Sequence, residues 1–315
     1  MRDRITALSL PAPDAITLDD ALAIYEAFRP MMPIPRAAST RYRDRLVDIL
    51  PDVDAVILDG YGVINVGSGP IDGIHEFFAA AAAHDCPIIV LTNGASFDTS
   101  RTAAKYAGWN LPLTPAQIVS SRDAIIAAVT SATPPITKPG SFSHISQKIG
   151  MADELCLADD PAFFEQVQNF LFLGGVEWDD ALQDQLVQAF RTGSKSLHIA
   201  NPDVVSPYAD RFNPEPGYWV ARLLQAVDIT PHWYGKPYAP AYGLALDRLE
   251  AVYGRAIAPE RVAMVGDSLH TDIIGASAYG LQSVLITGYG LFRDGGAERA
   301  IAACDIHPHW MVSTL

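Results

Sequence analysis

Cysteine is scarce in this 315-residue chain: Cys86, Cys156 and Cys304 are far apart and form no CxxC pair. Three isolated thiols build neither a disulfide framework nor a zinc knuckle, so idle or buried cysteines are expected. Long apolar runs are also missing, and none approaches the roughly 20 residues that span a bilayer. Positive charge is short: 22 Lys and Arg stand against 36 Asp and Glu, giving a formal net charge of −14 and a pI near 4.8. Nucleic acid and anionic membranes both need cationic side chains to neutralise phosphate, so neither is an expected partner. A small anionic substrate remains admissible, because a bound metal ion or a helix N-terminus can reverse the field inside one cleft. Internal repeats, low-complexity tracts and apolar heptads are not evident. The first residues carry Arg2 and Arg4 but only scattered apolar side chains before prolines and acids. No secretory signal is expected from this pattern, and a cytoplasmic location is expected.

What is present is globular: 49% hydrophobic and 18% charged residues, over a length sufficient for two domains with cores of their own. Residues 1–50 carry two helix-like patterns, one opened by Thr17 before LDDALAIYEAF and one around RYRDRLVDIL, separated by the proline-rich stretch 30–35. They read as an N-terminal helical extension packed on a core. Then AVILDG reads as a buried strand, HEFFAAAAAHD as a helix and PIIVLTNG as a second strand; RVAMVGD, TDIIGASAYG and QSVLITG repeat the alternation near the C-terminus. Strand, helix, strand is the unit of a parallel sheet, and the fold class is α/β with a doubly wound parallel core. Ligands of such sheets sit outside the carboxyl ends of the strands.

Those ends carry reactive residues. VILDG finishes in Asp59, IIVLTNG in Thr92 and Asn93, and AMVGDSLHTD in Asp267 followed by Asp272. A carboxylate at the end of a buried run is costly unless it is compensated, and two converging carboxylates call for a cation. Hard oxygen donors suit Mg²⁺, while the absence of clustered His and Cys in the sequence speaks against zinc. Taken singly, each Asp-Gly could equally be an ordinary turn after a strand.

Taken in order, the segments Asp59-Gly60-Tyr61-Gly62-Val63, Thr92-Asn93, Lys236 in YGKP, and GDSLHTD with Asp267 and Asp272 resemble the four motifs of the haloacid dehalogenase superfamily. Asp59 and Thr92 are separated by a single helix-length connection, whereas Asn93 and Lys236 lie 143 residues apart. The long insert after the second motif is similar to that of the C2-capped, NagD-like and 4-nitrophenylphosphatase-like subfamily IIA, and HIANPDVVSP followed by PEPGYW looks like that group's Asn-Pro-Asp segment. The resemblance implies a Rossmannoid core over residues 1–119 and 204–315, with an inserted α/β C2-type cap over 120–203. It further implies an Mg²⁺-dependent phosphatase acting on a small phosphorylated substrate. Asp59 would form an aspartyl intermediate. Thr92, through its hydroxyl, and Asn93, mainly through its backbone N–H, would bind the transferring group, and Lys236 would neutralise charge. Asp59, Asp267 and the Tyr61 carbonyl would hold Mg²⁺, with Asp272 supporting them. Ser268 would tighten this shell or simply cap a helix. Relatives often pair through their caps, so a homodimer fits the resemblance.

One position departs from the pattern. Phosphatases of the superfamily usually carry a second Asp two residues after the nucleophile, and here that residue is Tyr61. A tyrosine, with a reference pKa of about 10, donates a proton readily but accepts one poorly near pH 7. The superfamily's 2-haloacid dehalogenases also have Tyr there, so C–X hydrolysis stands as an alternative. A catalytically weak metal- or ligand-binding protein is a third reading. Tyr208, Arg211, Tyr218, Trp219, His232, Trp233 and Tyr234 are candidates either for gripping substrate or for core packing. His144, His198 and His270 are equally open, a surface helix position being one account of His270. Thr99-Ser100-Arg101 reads as a plain helix start.

Overall fold

The structure, a computed structural model, describes residues 2–142, 148–208 and 211–315; His144 lies outside them. Seven strands form the core sheet in the order Arg41–Arg45, Trp310–Thr314, Gln282–Ile286, Val262–Gly266, Ala55–Leu58, Ile88–Thr92, Ile118–Ser120. Every neighbouring pair is parallel. The central strands are short runs of Val, Ile, Leu and Ala buried along their whole length, as a sheet covered on both faces requires. One face packs Phe77, Tyr106 and Trp310, the other Tyr242, Leu249 and Met264, so the sheet is doubly wound as its alternation predicts. Asp267, Asp59 and Asn93 thus leave the same edge from three adjacent strands.

The chain departs from this sheet at Ser120, whose hydroxyl and carboxylate partner Asp123 form a capping box for the helix Ser121–Thr130. A second, five-stranded parallel sheet follows, ordered His232–Trp233, Ser196–Ile199, Asn169–Phe172, Pro139–Phe142, Leu155–Cys156. Its core is aromatic: Phe142 packs on Phe172 and Trp178 with ring centroids 4.2 and 4.6 Å apart. The proline-rich segment 132–141 ends in a buried strand of this sheet. The sheet also draws a strand from beyond residue 203, where the sequence places its boundary. His232–Trp233 pairs with Ser196–Ile199, and the Tyr234 N–H then donates to Ile199 O at 3.0 Å, delivering Lys236 from the end of the inserted sheet.

The second helix expected within residues 1–50 does not form. Leu18–Phe28 is a helix opened by a Thr17–Asp20 capping box, but RYRDR forms an exposed edge strand beside Trp310–Thr314 and Leu46–Asp52 is a 3₁₀ turn. Alternating Arg, Tyr and Asp side chains offer no apolar stripe to a helix. Charge also guards a sheet edge against further pairing. The Arg41 guanidinium lies 3.4 Å above the Trp310 ring centroid. The extension straps the helix Pro216–Ala226: Gln225 donates to Ile5 O and Leu8 O at 3.0 and 2.8 Å, and Tyr218 donates to Pro11 O at 2.6 Å. Among the described residues no helix is long and apolar enough to cross a membrane.

Candidate active site

Asp59, Asp267 and Asp272 converge, with donor oxygens within 4.8 Å of one another, and the three residues are 9%, 6% and 0% exposed. Lys236 answers them. Its Nζ lies 2.6 Å from Asp59 Oδ1 and 2.7 Å from Asp272 Oδ1. The Gly60 N–H donates to Asp59 Oδ1 at 2.7 Å, and the Leu291 N–H to Asp267 Oδ2 at 2.8 Å. Asp272 Oδ2 accepts from the Ser268 N–H at 3.1 Å, so both oxygens of Asp272 are already bonded. That supports Asp272 as a positioning group rather than a direct ligand.

One buried cation does not balance three buried carboxylates. Burial, opposed by Lys236 and reinforced by Asp272, pushes the Asp59 carboxyl up to about 7. Burial together with Asp272 and Asp59 pushes Asp267 well above the usual carboxylate range. Burial alone would depress Lys236, but Asp272 and Asp59 hold it above the usual lysine value. A divalent cation resolves this charge deficit, and an all-carboxylate donor set suits a hard ion. The Ser268 Oγ beside the cluster is buried without a hydrogen-bond partner among the described residues, a polar atom left over for an incoming group.

Backbone geometry explains the motif's glycines. Gly62 and Gly290 have φ of +78° and +62°, and a Cβ on either would fall 2.3 or 2.0 Å from Asp267 Oδ2. Gly290 and Leu291 belong to the glycine-rich segment TGYGLFRDGG, which forms a wall of the site.

Thr92 is 9% exposed and its hydroxyl accepts from the Gly94 N–H at 3.1 Å, leaving its own proton for a ligand. Asn93 does more than the backbone role read from the sequence. Its Oδ1 accepts from the Lys236 N–H at 2.7 Å and from Ser121 Oγ at 2.8 Å. Its Nδ2 donates to Lys236 O at 3.2 Å and to Asp203 Oδ1 at 2.8 Å. Asp203, in the Asn-Pro-Asp segment, and Ser121 are therefore site residues that the sequence did not reveal as such. The Asn-Pro-Asp triplet itself was the available signal. Lys105 was also missed: its Nζ donates to Asn65 Oδ1 at 3.1 Å and lies 5.5 Å from the Tyr61 ring centroid. Burial pulls it down to about 8, with Asp59 opposing.

Tyr61 is 37% exposed, and its hydroxyl donates to Gly67 O at 3.3 Å. Burial, Glu215 and Tyr208 raise its pKa further, so it keeps its proton at neutral pH. Tyr218 and Trp219 are core residues, 0% and 1% exposed, whereas Tyr208 is exposed. His198 bonds Tyr234 Oη at 2.8 Å within the second sheet. His270 is not on a surface helix: it is fully buried in the segment Leu269–Ile273. Thr99 starts a helix capped by Asp98, as read.

Residues 56–149 match the family model described as haloacid dehalogenase-like hydrolase, and residues 233–315 match one described as HAD-hydrolase-like. An acid sugar phosphatase of Staphylococcus haemolyticus is 23% identical over 242 residues, covering 76% of this chain and 87% of the relative. A possible sugar phosphatase of the HAD superfamily from Cytophaga hutchinsonii superposes with a TM-score of 0.74 at 20% identity, over 87% of this chain and 98% of that one. NagD from E. coli gives 0.61 at 19% identity, over 83% and 96%. These structures share the fold, and the two family models together span more than half of the chain. With the four motifs gathered in one site, the chain belongs to the haloacid dehalogenase-like hydrolases.

Proposed function

We propose that this hydrolase is a Mg²⁺-dependent phosphatase for small organic phosphate monoesters, working through an aspartyl-phosphate at Asp59. The observation that carries the reading is the buried trio Asp59, Asp267 and Asp272 against the single Lys236. Asp59, Asp267 and the Tyr61 carbonyl would hold Mg²⁺, which supplies charge neutralisation to the phosphate when bound. A carboxylate oxygen of Asp59 attacks phosphorus, the Asp–O–P bond forms and the ester P–O bond breaks; water then releases inorganic phosphate and restores the carboxylate. The Thr92 hydroxyl and the Asn93 N–H hold the phosphoryl oxygens, and Lys236 screens the nucleophile from their charge. Tyr61 stands where an acid/base carboxylate is usual. With its proton held, it suits donation to the leaving oxygen and not activation of water, so breakdown of the aspartyl-phosphate is the slow step. Two of the similar proteins are described as sugar phosphatases, which makes sugar phosphates the first monoesters to assay. A cytoplasmic site of action and pairing of two copies complete the proposal.

The test is hydrolysis of 4-nitrophenyl phosphate by metal-stripped protein, with and without Mg²⁺, beside Asp59→Asn. Mg²⁺-dependent turnover lost in Asp59→Asn supports the reading. No turnover and no phosphate on acid-quenched protein sinks it, and 2-haloacids are assayed next, since Tyr61 is the one feature favouring C–X hydrolysis.

A further inference from the structure

A second cluster of donor groups lies outside the carboxylate site. Glu26 comes from the helix Leu18–Phe28, His270 from Leu269–Ile273 and Cys304 from the last turn of Ala297–Cys304, and their donor atoms all lie within 4.8 Å of one another. His270 Nε2 is 2.8 Å from Glu26 Oε1, and the Cys304 Sγ lies within 4.8 Å of both donor atoms. The imidazole is fully buried and its plane is fixed by Tyr25, whose ring stacks on it at 4.9 Å and 4°. Its Nδ1 has no hydrogen-bond partner among the described residues, so nothing there supports a charged ring, and a neutral imidazole is the form that ligates metals. The Arg29 guanidinium also approaches Glu26, at a long 3.5 Å, a contact a cation would displace.

We infer that Glu26, His270 and Cys304 form a binding site for a borderline-soft divalent cation of the Zn²⁺ type, distinct from the carboxylate cluster that suits Mg²⁺. The donor chemistry makes the choice: thiolate, imidazole and carboxylate together favour zinc, at bond lengths of roughly 2.0–2.3 Å. The imidazole already bonds the carboxylate, and the thiol stands beside both, so two zinc-binding groups converge on one carboxylate. The cation takes the place of the proton between imidazole and carboxylate and of the thiol proton: the thiol proton leaves to solvent and the ring keeps its one proton on Nδ1. Carboxylate, thiolate and neutral ring then offset a 2+ charge, so a largely buried site carries no net charge. The consequence is mechanical. Zinc would staple the N-terminal extension and the last helix to the segment Leu269–Ile273, which also carries Asp272 of the carboxylate cluster. Nothing in this inference depends on the phosphatase reading.

Cobalt(II) titration of the metal-stripped full chain, without substrate, tests it. The expected result is a near-ultraviolet sulfur-to-cobalt charge-transfer band saturating at about one equivalent, bleached by Zn²⁺, absent in Cys304→Ser and at least about ten-fold weaker in affinity in Glu26→Gln. An all-oxygen carboxylate site gives no such band, so the two sites are told apart. Absence of the band in the native chain overturns the inference whatever the variants do. Its persistence in Cys304→Ser, which would assign it to Cys86 or Cys156, overturns it as well.

Discussion

Asn93 Nδ2 donates to Asp203 Oδ1 at 2.8 Å across 110 residues of sequence. The same side chain brackets the backbone of Lys236 from both sides, through its N–H and its C=O. One amide therefore joins the end of a core strand, the Asn-Pro-Asp segment where the chain returns from the insert, and the residue that neutralises Asp59. The placement of Lys236 Nζ depends on this junction as much as on its own ion pairs.

Asn93→Ala should accordingly damage both stability and rate. It leaves the buried Lys236 N–H and the half-buried Asp203 carboxyl unpaired, at up to about 1–3 kcal/mol each. A misplacement of Lys236 by about 1 Å should lower kcat by on the order of 10²-fold. Urea unfolding and steady-state kinetics on the same preparations check this. A variant that loses only substrate affinity, with kcat and the urea midpoint unchanged, would refute the junction.

Tyr61→Asp should increase turnover. Supplying a proton acceptor beside the nucleophile is worth on the order of 10²- to 10⁴-fold where general base catalysis limits the rate. Rapid-quench kinetics should show a burst of phenolate from the native protein, reporting accumulated phosphoenzyme, and loss of that burst in the variant. Equal steady-state rates without a burst in either would mean that Tyr61 does not limit breakdown.

Asp59, Thr92, Asn93 and Asp267 were legible because each ends a short apolar run, and a parallel sheet brings such ends to one edge. Lys236 was legible only through its motif, since a GKP turn by itself is ordinary surface chemistry. The parts that escaped are long-range pairings. Nothing local in Gly290 and Leu291 reports that they close on Asp267, 24 residues away from Leu291, and nothing in Asp203 reports its bond to Asn93. The missing helix at 41–45 has the same kind of cause: Trp310, beside which Arg41 pairs as a strand, decides between strand and helix from the opposite end of the chain. His270 escaped likewise, because Tyr25 and Glu26 cover it from the N-terminal extension.

The pH dependence of stability should have a sign opposite to the usual one for proteins with paired surface carboxylates. Burial raises both Asp203 and Glu215 to about 7, opposed by Lys236 and Asn93 at the first and by Ser206 at the second. Unfolded carboxyls titrate near about 4. Between these values the folded chain binds more protons than the unfolded one, so these groups make stability fall as pH rises, by up to about 1.4 kcal/mol per unit each, levelling above about pH 7. Urea midpoints in EDTA from about pH 4.5 to 7.5 should decline, and Asp203→Asn, which keeps an acceptor for Asn93, should flatten the slope. A midpoint that climbs across this window would contradict the assignment.

Tyr25 gives the N-terminal extension a measurable stake in the active site. Its ring stacks on His270, and its hydroxyl accepts from the Val204 N–H at 3.0 Å, next to Asp203. Tyr25→Phe keeps the stack and removes only the acceptor, leaving a buried N–H unpaired at about 1–3 kcal/mol. If the extension merely covers apolar surface, the variant lowers the urea midpoint and leaves catalysis alone. If it holds the return segment in register with Asn93, kcat falls with the midpoint, and amide exchange at Val204 and Asp203 quickens more than exchange in the distant edge strand Arg41–Arg45. The second outcome is the expected one, because the Val204 N–H and the Asp203 carboxyl sit on consecutive residues and cannot move independently.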